Sequence, residues 1–319
     1  MRLGRGFAAV MVPLGLAMAL PFAFLATPAT ARPAAEAKVG DAAAPVGKPI
    51  KAKPSLWVVK DADTTIYLFG SMHVLKPEVQ WFGGQIKQAF DSSDALVLEM
   101  IEPEPADMQK LVAAMAVNPD GPPLTSKLTE NQRAAYIAAM DRIKLPWQAL
   151  ETLDPWLVAV TMSVAPLEGL GYKSDAGVEK VLTQAAKAEG KQVEGLETPA
   201  QQLSYFDGLP EEQQIAFLNA TVSELPGMEK EFDGMLKAWS KGQTDTLGRQ
   251  MNESLTATPE LAKVLLVDRN ARWANWIRAR LERPGTVFIA VGAGHLAGDN
   301  SVQAQLQAMG IASIRLRGR

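Results

Sequence analysis

Apolar residues recur with two different periods along this chain, and the alternation of those periods predicts its elements. Leu56-Trp57-Val58-Val59-Lys60 and Thr65-Ile66-Tyr67-Leu68-Phe69 are rich in β-branched and aromatic residues and flank Asp61-Ala62-Asp63. Two such runs around a short polar turn predict a β-hairpin. Gly70 punctuates the second run, and residues 79–90 then take helical spacing through Ile86, Ala89 and Phe90. Ala95-Leu96-Val97-Leu98 and Thr286-Val287-Phe288-Ile289-Ala290-Val291 are continuous apolar runs. That pattern marks strands buried on both faces. Lys191-Gln192-Val193-Glu194-Gly195-Leu196 predicts a weaker strand, and Ile311-Ala312-Ser313-Ile314-Arg315-Leu316 one that closes the sheet after a short helix over 302–309.

Two long helical blocks separate these strands. The first runs over 105–184, broken by Pro119, Pro122, Pro146, Pro155 and Pro166, with a further helix over 177–189. The second runs over 211–283 and ends in a long amphipathic helix, 261–281, that carries Trp273 and Trp276. Strands alternating with helices predict an α/β fold. Its central sheet is mainly parallel, with helices on both faces and the helical insertions forming a cap.

The first residues carry a different signal. Arg2 and Arg5 precede an apolar run over 7–25, and Thr27-Pro28-Ala29-Thr30-Ala31 ends it with small residues. This predicts a secretory signal peptide over 1–31, cleaved after Ala31. The Ala-, Pro-, Gly- and Lys-rich stretch 32–54 predicts a flexible linker, leaving 55–319 as a single domain. No later stretch reaches the ~18 apolar residues of a transmembrane helix, so no span is expected in the mature chain.

Composition narrows the function classes. Hydrophobic residues make up 47% and charged residues 21%, which excludes disorder throughout. Lys+Arg 32 against Asp+Glu 35 leaves no basic surplus for a phosphate backbone, so nucleic acid is not an expected partner. With Cys 0, disulfides, thiolate metal sites and a Cys nucleophile are all excluded. A secreted chain without cysteine suits a bacterial periplasm.

The chain has only 2 histidines, and both occupy the same local context. Gly70-Ser71-Met72-His73 and Gly292-Ala293-Gly294-His295 each follow a strand, with His three residues after Gly. Glu99 directly follows the 95–98 strand and Glu197 directly follows the 193–196 strand. Ligand sites of open α/β sheets lie outside the carboxyl ends of the strands. If these four strands are parallel neighbours, His73, Glu99, Glu197 and His295 converge. Two imidazoles with one or two carboxylates suit Mn²⁺, Fe²⁺, Co²⁺ or Zn²⁺.

The blander readings are a strand-end histidine serving as a hydrogen-bonded loop residue, and Glu197-Thr198-Pro199 serving as a helix start. For the late helix, spacing makes Asp268 and Arg272 an i, i+4 surface pair. Gly292-Ala293-Gly294-His295-Leu296-Ala297 also fits a dinucleotide-binding glycine pattern, but no acidic residue follows the 311–316 strand to hold a ribose. Ser71 lies in no G-x-S-x-G elbow and sits two residues from His73, which argues against a serine nucleophile.

These residues resemble the TraB/GumN family, which includes Tiki-type metalloproteases. The likeness runs through Leu68-Phe69-Gly70-Ser71-Met72-His73, Ala95-Leu96-Val97-Leu98-Glu99, Gly195-Leu196-Glu197-Thr198 with Gln201, Asp268-Arg269-Asn270 and Val291-Gly292-Ala293-Gly294-His295-Leu296. The resemblance implies a fold shared with erythromycin-esterase-like and ChaN-like proteins. It also implies a Mn²⁺- or Co²⁺-dependent peptidase, with His73, Glu99 and His295 as metal site and Arg269 as site arginine. The family usually shows a Gly-hydrophobic-Asp segment before the third strand. Tyr172-Lys173-Ser174-Asp175 stands near that place without the full pattern, so Asp175 stays outside the expected site.

The expectation is therefore a secreted metal-dependent hydrolase acting on a peptide or a small molecule. Glu99 or Glu197 is its general base, and Arg269 faces the developing oxyanion. The alternative is a non-enzymatic periplasmic haem- or metal-binding protein, with histidines as axial ligands and Trp273 and Trp276 walling an apolar pocket.

Overall fold

In a computed structural model, residues 47–252 and 259–316 are described. The predicted signal peptide and the linker up to residue 46 lie outside the described residues, as do 317–319. The strands, in chain order, are β1 (Ile50–Lys51), β2 (Leu56–Lys60), β3 (Thr64–Ser71), β4 (Val79–Gln80), β5 (Ala95–Met100), β6 (Gln192–Glu197), β7 (Gly285–Gly292) and β8 (Ile314–Leu316). Six of them form one sheet in the order β6-β5-β7-β3-β2-β8. Strands β6, β5, β7 and β3 are parallel neighbours, and β2 alone runs against its partners β3 and β8. The predicted hairpin is present. Asp61 Oδ1 accepts the Thr64 N–H at 2.9 Å and closes its turn.

Helix α1 (Gly84–Asp91) precedes β5. Helices α2 (Pro105–Ala116), α3 (Glu130–Arg142), α4 (Pro155–Val164) and α5 (Val178–Ala188) fill the first insertion. The second holds α6 (Pro199–Asp207), α7 (Glu211–Glu224), α8 (Met228–Ser240), α9 (Thr244–Asn252), α10 (Pro259–Ala262) and α11 (Asp268–Arg280), and α12 (Val302–Ala308) joins β7 to β8.

Alternation along the central strands sorts the core onto two faces. Ile66, Leu68, Val287 and Ile289 meet Trp273 and Ile277 of α11 and Leu306 of α12 on one face. Phe69 and Phe288 meet Phe90 of α1 on the other, and that core continues into the helical insertions. At its far end α4 is buried almost all round, which explains why it shows no polar side. Trp156 of α4 stacks on Phe206 at 5.7 Å, and Phe206 on Phe217 at 5.9 Å.

Three local expectations change. The helix expected over 79–90 starts only at Gly84, because Val79–Gln80 pairs with Ile50–Lys51 as a strand. Gly84 takes a φ of 52°, the left-handed turn that resets the chain into α1. The same pairing, with Lys53 N–H donating to Ser240 O at 2.7 Å, lays residues 50–53 of the expected linker along the domain. The long late helix is interrupted by a π turn over Lys263–Val267, immediately before Arg269. Single π turns often re-aim side chains at functional sites.

Candidate active site at the carboxyl ends of four strands

Register explains how the sequence-distant residues meet. β3 and β7 pair through Ser71↔Gly292, so the two G-x-x-H turns leave the sheet side by side. On the other side of β7, Leu98 pairs with Ala290, and Met100 pairs with Glu197 of β6. The carboxyl ends of four adjacent parallel strands thus deliver Glu197, Glu99, His295 and His73 to one place. All four are buried, together with Arg269, Asn270 and Gln202.

Arg269 is the hub, not the surface residue that its charged neighbours imply. Its Nη2 donates to Glu99 Oε2 at 2.6 Å and to Glu197 Oε2 at 2.8 Å, and its Nε donates to both Glu197 oxygens at 3.1 Å. The guanidinium lies 4.7 Å from the Trp273 ring and 5.6 Å from the Tyr205 ring, so aromatic faces cover it. Burial opposes its charge, but Glu99 and Glu197 more than restore it, and its pKa stands above the ordinary value. The expected Asp268–Arg272 pair does not form. Asp268 takes Lys263 at 2.6 Å, while Arg272 donates to the Tyr205 hydroxyl at 2.8 Å.

His295 lies behind the strand ends. Its Nδ1 is 2.6 Å from Asn270 Oδ1, and Asn270 Nδ2 donates to Asn300 O at 2.7 Å. Its Nε2 is 3.2 Å from Arg269 Nη1. Burial and the adjacent Arg269 cation hold its pKa well below the ordinary histidine value. His73 is set the other way. Burial disfavours its charge, yet Glu179, 2.7 Å from Nδ1, outweighs burial and the net pKa is raised. Its Nε2 is buried with no hydrogen-bond partner.

Glu179 was not among the expected site residues. It lies in Gly177-Val178-Glu179, a Gly-hydrophobic-acid pattern with Glu where Asp is usual, whereas Asp175 is exposed. Gly177 is demanded by packing: a Cβ there would stand 2.0 Å from the His73 carbonyl oxygen. Ser71, set aside as a nucleophile, donates its hydroxyl to Glu179. Gln201 of the family-like segment closes a capping box with Thr198, and its neighbour Gln202 turns inward to donate to Glu197 at 3.1 Å and Glu99 at 3.3 Å.

A cavity of about 430 Å³ opens over His73, Glu99, Glu179 and Gln202. It runs outward between the 100–105 segment and the Lys180, Thr183, Gln184 and Lys187 face of α5. His295, Arg269 and Glu197 do not line it, and neither does Trp273 or Trp276. Trp273 instead packs on the His295 ring at 4.4 Å.

Among the described residues, no three His, Asp or Glu side chains stand placed to hold a metal ion. The Arg269 guanidinium occupies the ground between His295 Nε2 and both carboxylates. Two donors nevertheless fit a cation. His73 Nε2 has no partner, and Glu99 Oε1 takes only the Gly292 N–H, at 2.6 Å. The missing Cβ of Gly292 leaves room between them: it would lie 3.0 Å from Glu99 Oε1, 3.6 Å from His295 Cδ2 and 3.7 Å from His73 Nε2.

Residues 55–314 match the sequence profile of the TraB/PrgY/gumN family. The chain belongs to this family. Within it, the chain is similar to the uncharacterized protein YbaP of Escherichia coli (strain K12), 23% identical over 254 residues that cover 80% of this chain and 92% of that protein. It is also similar to an uncharacterized protein of Treponema pallidum (strain Nichols), 21% identical over 264 residues that cover 77% of this chain and 78% of that protein. No solved structure matches it. The TraB/PrgY/gumN match spans all four strand ends, so every residue of the cluster lies within the family region. No helix among the described residues is long and apolar enough to cross a membrane.

Proposed function

We propose that this TraB/PrgY/gumN protein is a secreted metal-dependent hydrolase of the bacterial periplasm, acting on peptides at the cavity over His73 and Glu99. The observation that carries the reading is the unpartnered, buried His73 Nε2 beside Glu99 Oε1, across the space that Gly292 leaves open. Secretion rests on the 1–31 leader, and the peptide substrate on the family resemblance.

In this reading His73 and Glu99 supply the cavity-facing metal donors. His295 would join them only if Arg269 Nη1, 3.2 Å away, gave up its Nε2. A bound divalent ion supplies Lewis acidity and lowers the pKa of coordinated water toward ~7. The chain's own groups do the rest. Where Glu99 Oε1 does not itself bind the ion, it is the carboxylate oxygen that would take the proton from an attacking water. Glu197 is fully engaged by Arg269, Gln202 and Tyr205, so its work is to hold Arg269 rather than to serve as base. Arg269 stands behind the cavity and acts on the reaction through Glu99, holding Oε2 while Oε1 takes only the Gly292 N–H.

The test is metal analysis of the mature domain purified without chelator, wild type beside a His73→Ala/His295→Ala variant. Near-stoichiometric Mn, Co, Fe or Zn in the wild type, lost in the variant, supports the reading. Hydrolysis of peptide substrates is then screened with that metal. No metal in either protein after reloading overturns it.

A further inference from the structure

Each histidine of the pair has a side-chain oxygen on Nδ1, and neither oxygen comes from the strand ends themselves. For His295 the proton position follows from two independent contacts. Asn270 Nδ2 donates to Asn300 O, so the amide is oriented with Oδ1 toward His295 Nδ1, and an amide oxygen only accepts. Arg269 Nη1 stands at Nε2, and a guanidinium only donates. Nδ1 therefore carries the proton and Nε2 the lone pair. For His73, Glu179 Oε1 at 2.7 Å accepts from Nδ1, and the Ser71 hydroxyl holds that carboxylate in place. In the neutral ring Nε2 is again left with the lone pair, without a partner. A free histidine side chain in water favours the opposite tautomer, with the proton on Nε2. Both rings are thus locked in the minor form, by residues on α5 and α11.

We infer that Glu179 and Asn270 are positioning residues, which fix His73 and His295 in the Nδ1–H tautomer, so that the His73 Nε2 lone pair faces the space beside Gly292 and the His295 Nε2 lone pair faces Arg269 Nη1. Ser71 and Asn300 are the anchors that keep the two acceptors aimed. An imidazole so fixed offers its Nε2 to an electrophile or a proton without first reorienting. A hydrogen bond to the far ring nitrogen is the usual device for setting a functional histidine. The consequence for catalysis rests on the hydrolase reading above, but the tautomers do not.

The chain has only 2 histidines, which makes the test direct. Protein labelled with ¹⁵N-histidine shows four ring nitrogens in a two-bond ¹H–¹⁵N correlation spectrum. At about pH 9, well above the ordinary imidazole range, both residues of the wild type show a protonated Nδ1 and an unprotonated Nε2. Glu179→Ala shifts His73 toward Nε2–H and leaves His295 unchanged, which also reports that the fold is intact. Asn270→Ala does the converse. Glu179→Gln, whose amide oxygen still accepts, keeps the His73 tautomer and so separates the hydrogen bond from the charge. Zn²⁺ affinity by calorimetry falls roughly 10–100-fold in Glu179→Ala and is restored in part by Glu179→Gln.

A wild-type His73 protonated at Nε2, or a Glu179→Ala spectrum identical to wild type, overturns the inference. If a variant fails to fold, the wild-type spectrum alone decides. A wild type that binds no metal while showing both locked tautomers sinks the hydrolase reading and leaves the positioning role standing.

Discussion

Replacing Arg269 by methionine removes the buried cation shared by two buried carboxylates, leaving Glu197 only the half-exposed Arg272, 3.7 Å away. The side chains of Arg269, Glu99 and Glu197 are 3%, 7% and 3% exposed, so water does little to screen the charges left behind. Breaking a buried ion pair by deleting one partner costs about 3–5 kcal/mol, and here one guanidinium serves both carboxylates, so the upper half of that range is expected. Set against a whole-domain stability of about 5–15 kcal/mol, the loss is large but survivable. At about 2–4 °C per kcal/mol for a domain near this size, Tm falls by roughly 8–20 °C. Arg269→Lys falls between wild type and Arg269→Met, because a single ammonium cannot reproduce the fork that reaches Glu99 and both oxygens of Glu197. The decisive variant is Arg269→Met/Glu99→Gln/Glu197→Gln. Neutralising the whole network removes the uncompensated charge, so the triple variant recovers much of the lost stability. Thermal and urea unfolding followed by far-ultraviolet circular dichroism measure all of these. An Arg269→Met protein melting within about 2 °C of wild type refutes the reasoning, as does a triple variant less stable than the single one.

Gly292→Ala places a methyl 3.0 Å from Glu99 Oε1 in the space between the two donors; if the proposed metal site is right, the variant folds but takes up less metal than wild type, and equal metal content counts against the site. Gly177→Ala drives a Cβ to 2.0 Å from the His73 carbonyl, so it costs about 1–3 kcal/mol or more by overpacking, read as a lowered urea midpoint; an unchanged midpoint contradicts the packing. Burial, with Glu231 nearby, raises the Glu224 carboxyl to about 8. A folded-state pKa above the unfolded value keeps the proton on the folded form, so wild-type stability declines as pH rises from about 4.5 to about 8. Glu224→Gln removes that decline, and its Tm advantage over wild type is absent near pH 4, grows through this window and levels off above it; an advantage independent of pH disproves the assignment.

The strands were legible because parallel strands covered on both faces must be apolar at nearly every position, and 95–98 and 286–291 have no other reading. The convergence of His73, Glu99, Glu197 and His295 was legible for the same reason, once each was seen to sit directly past such a strand. What the pattern missed depends on tertiary neighbours. Val79–Gln80 has no period of its own and becomes a strand only because Ile50–Lys51 lies beside it. Gln201 and Gln202 differ by one residue, about 100° around a helix, so one caps α6 and the other reaches Glu99. Arg269 stands between Asp268 and Asn270 with Arg272 a turn away, a polar stretch that reads as solvated. Only the packing of Trp273 and Ile277 against the sheet shows which side of α11 faces inward. Glu179 reads as an ordinary acidic residue in the first turn of a helix, and the close approach of Gly177 to His73 is what turns it toward the imidazole.

A buried arginine between two glutamates is a poor way to stabilise a fold, since well-packed apolar residues of the same volume do as well or better. The arrangement makes sense when each residue facing the cavity is divided into a tied atom and an available one. His73 gives Nδ1 to Glu179 and keeps Nε2; Glu99 gives Oε2 to Arg269 and keeps Oε1 toward the cavity side of Gly292. Neither side chain can rotate to satisfy its second atom without breaking the bond at its first. Reorganisation is therefore completed during folding, and the two available atoms stand ready before any ligand arrives. Other buried polar atoms, such as the Trp273 indole nitrogen, also lack a partner; His73 Nε2 differs in standing at the cavity beside a buried carboxylate. That orphaned nitrogen, together with the charges gathered behind it, is what supports the proposal that the His73–Glu99 pair is the working centre.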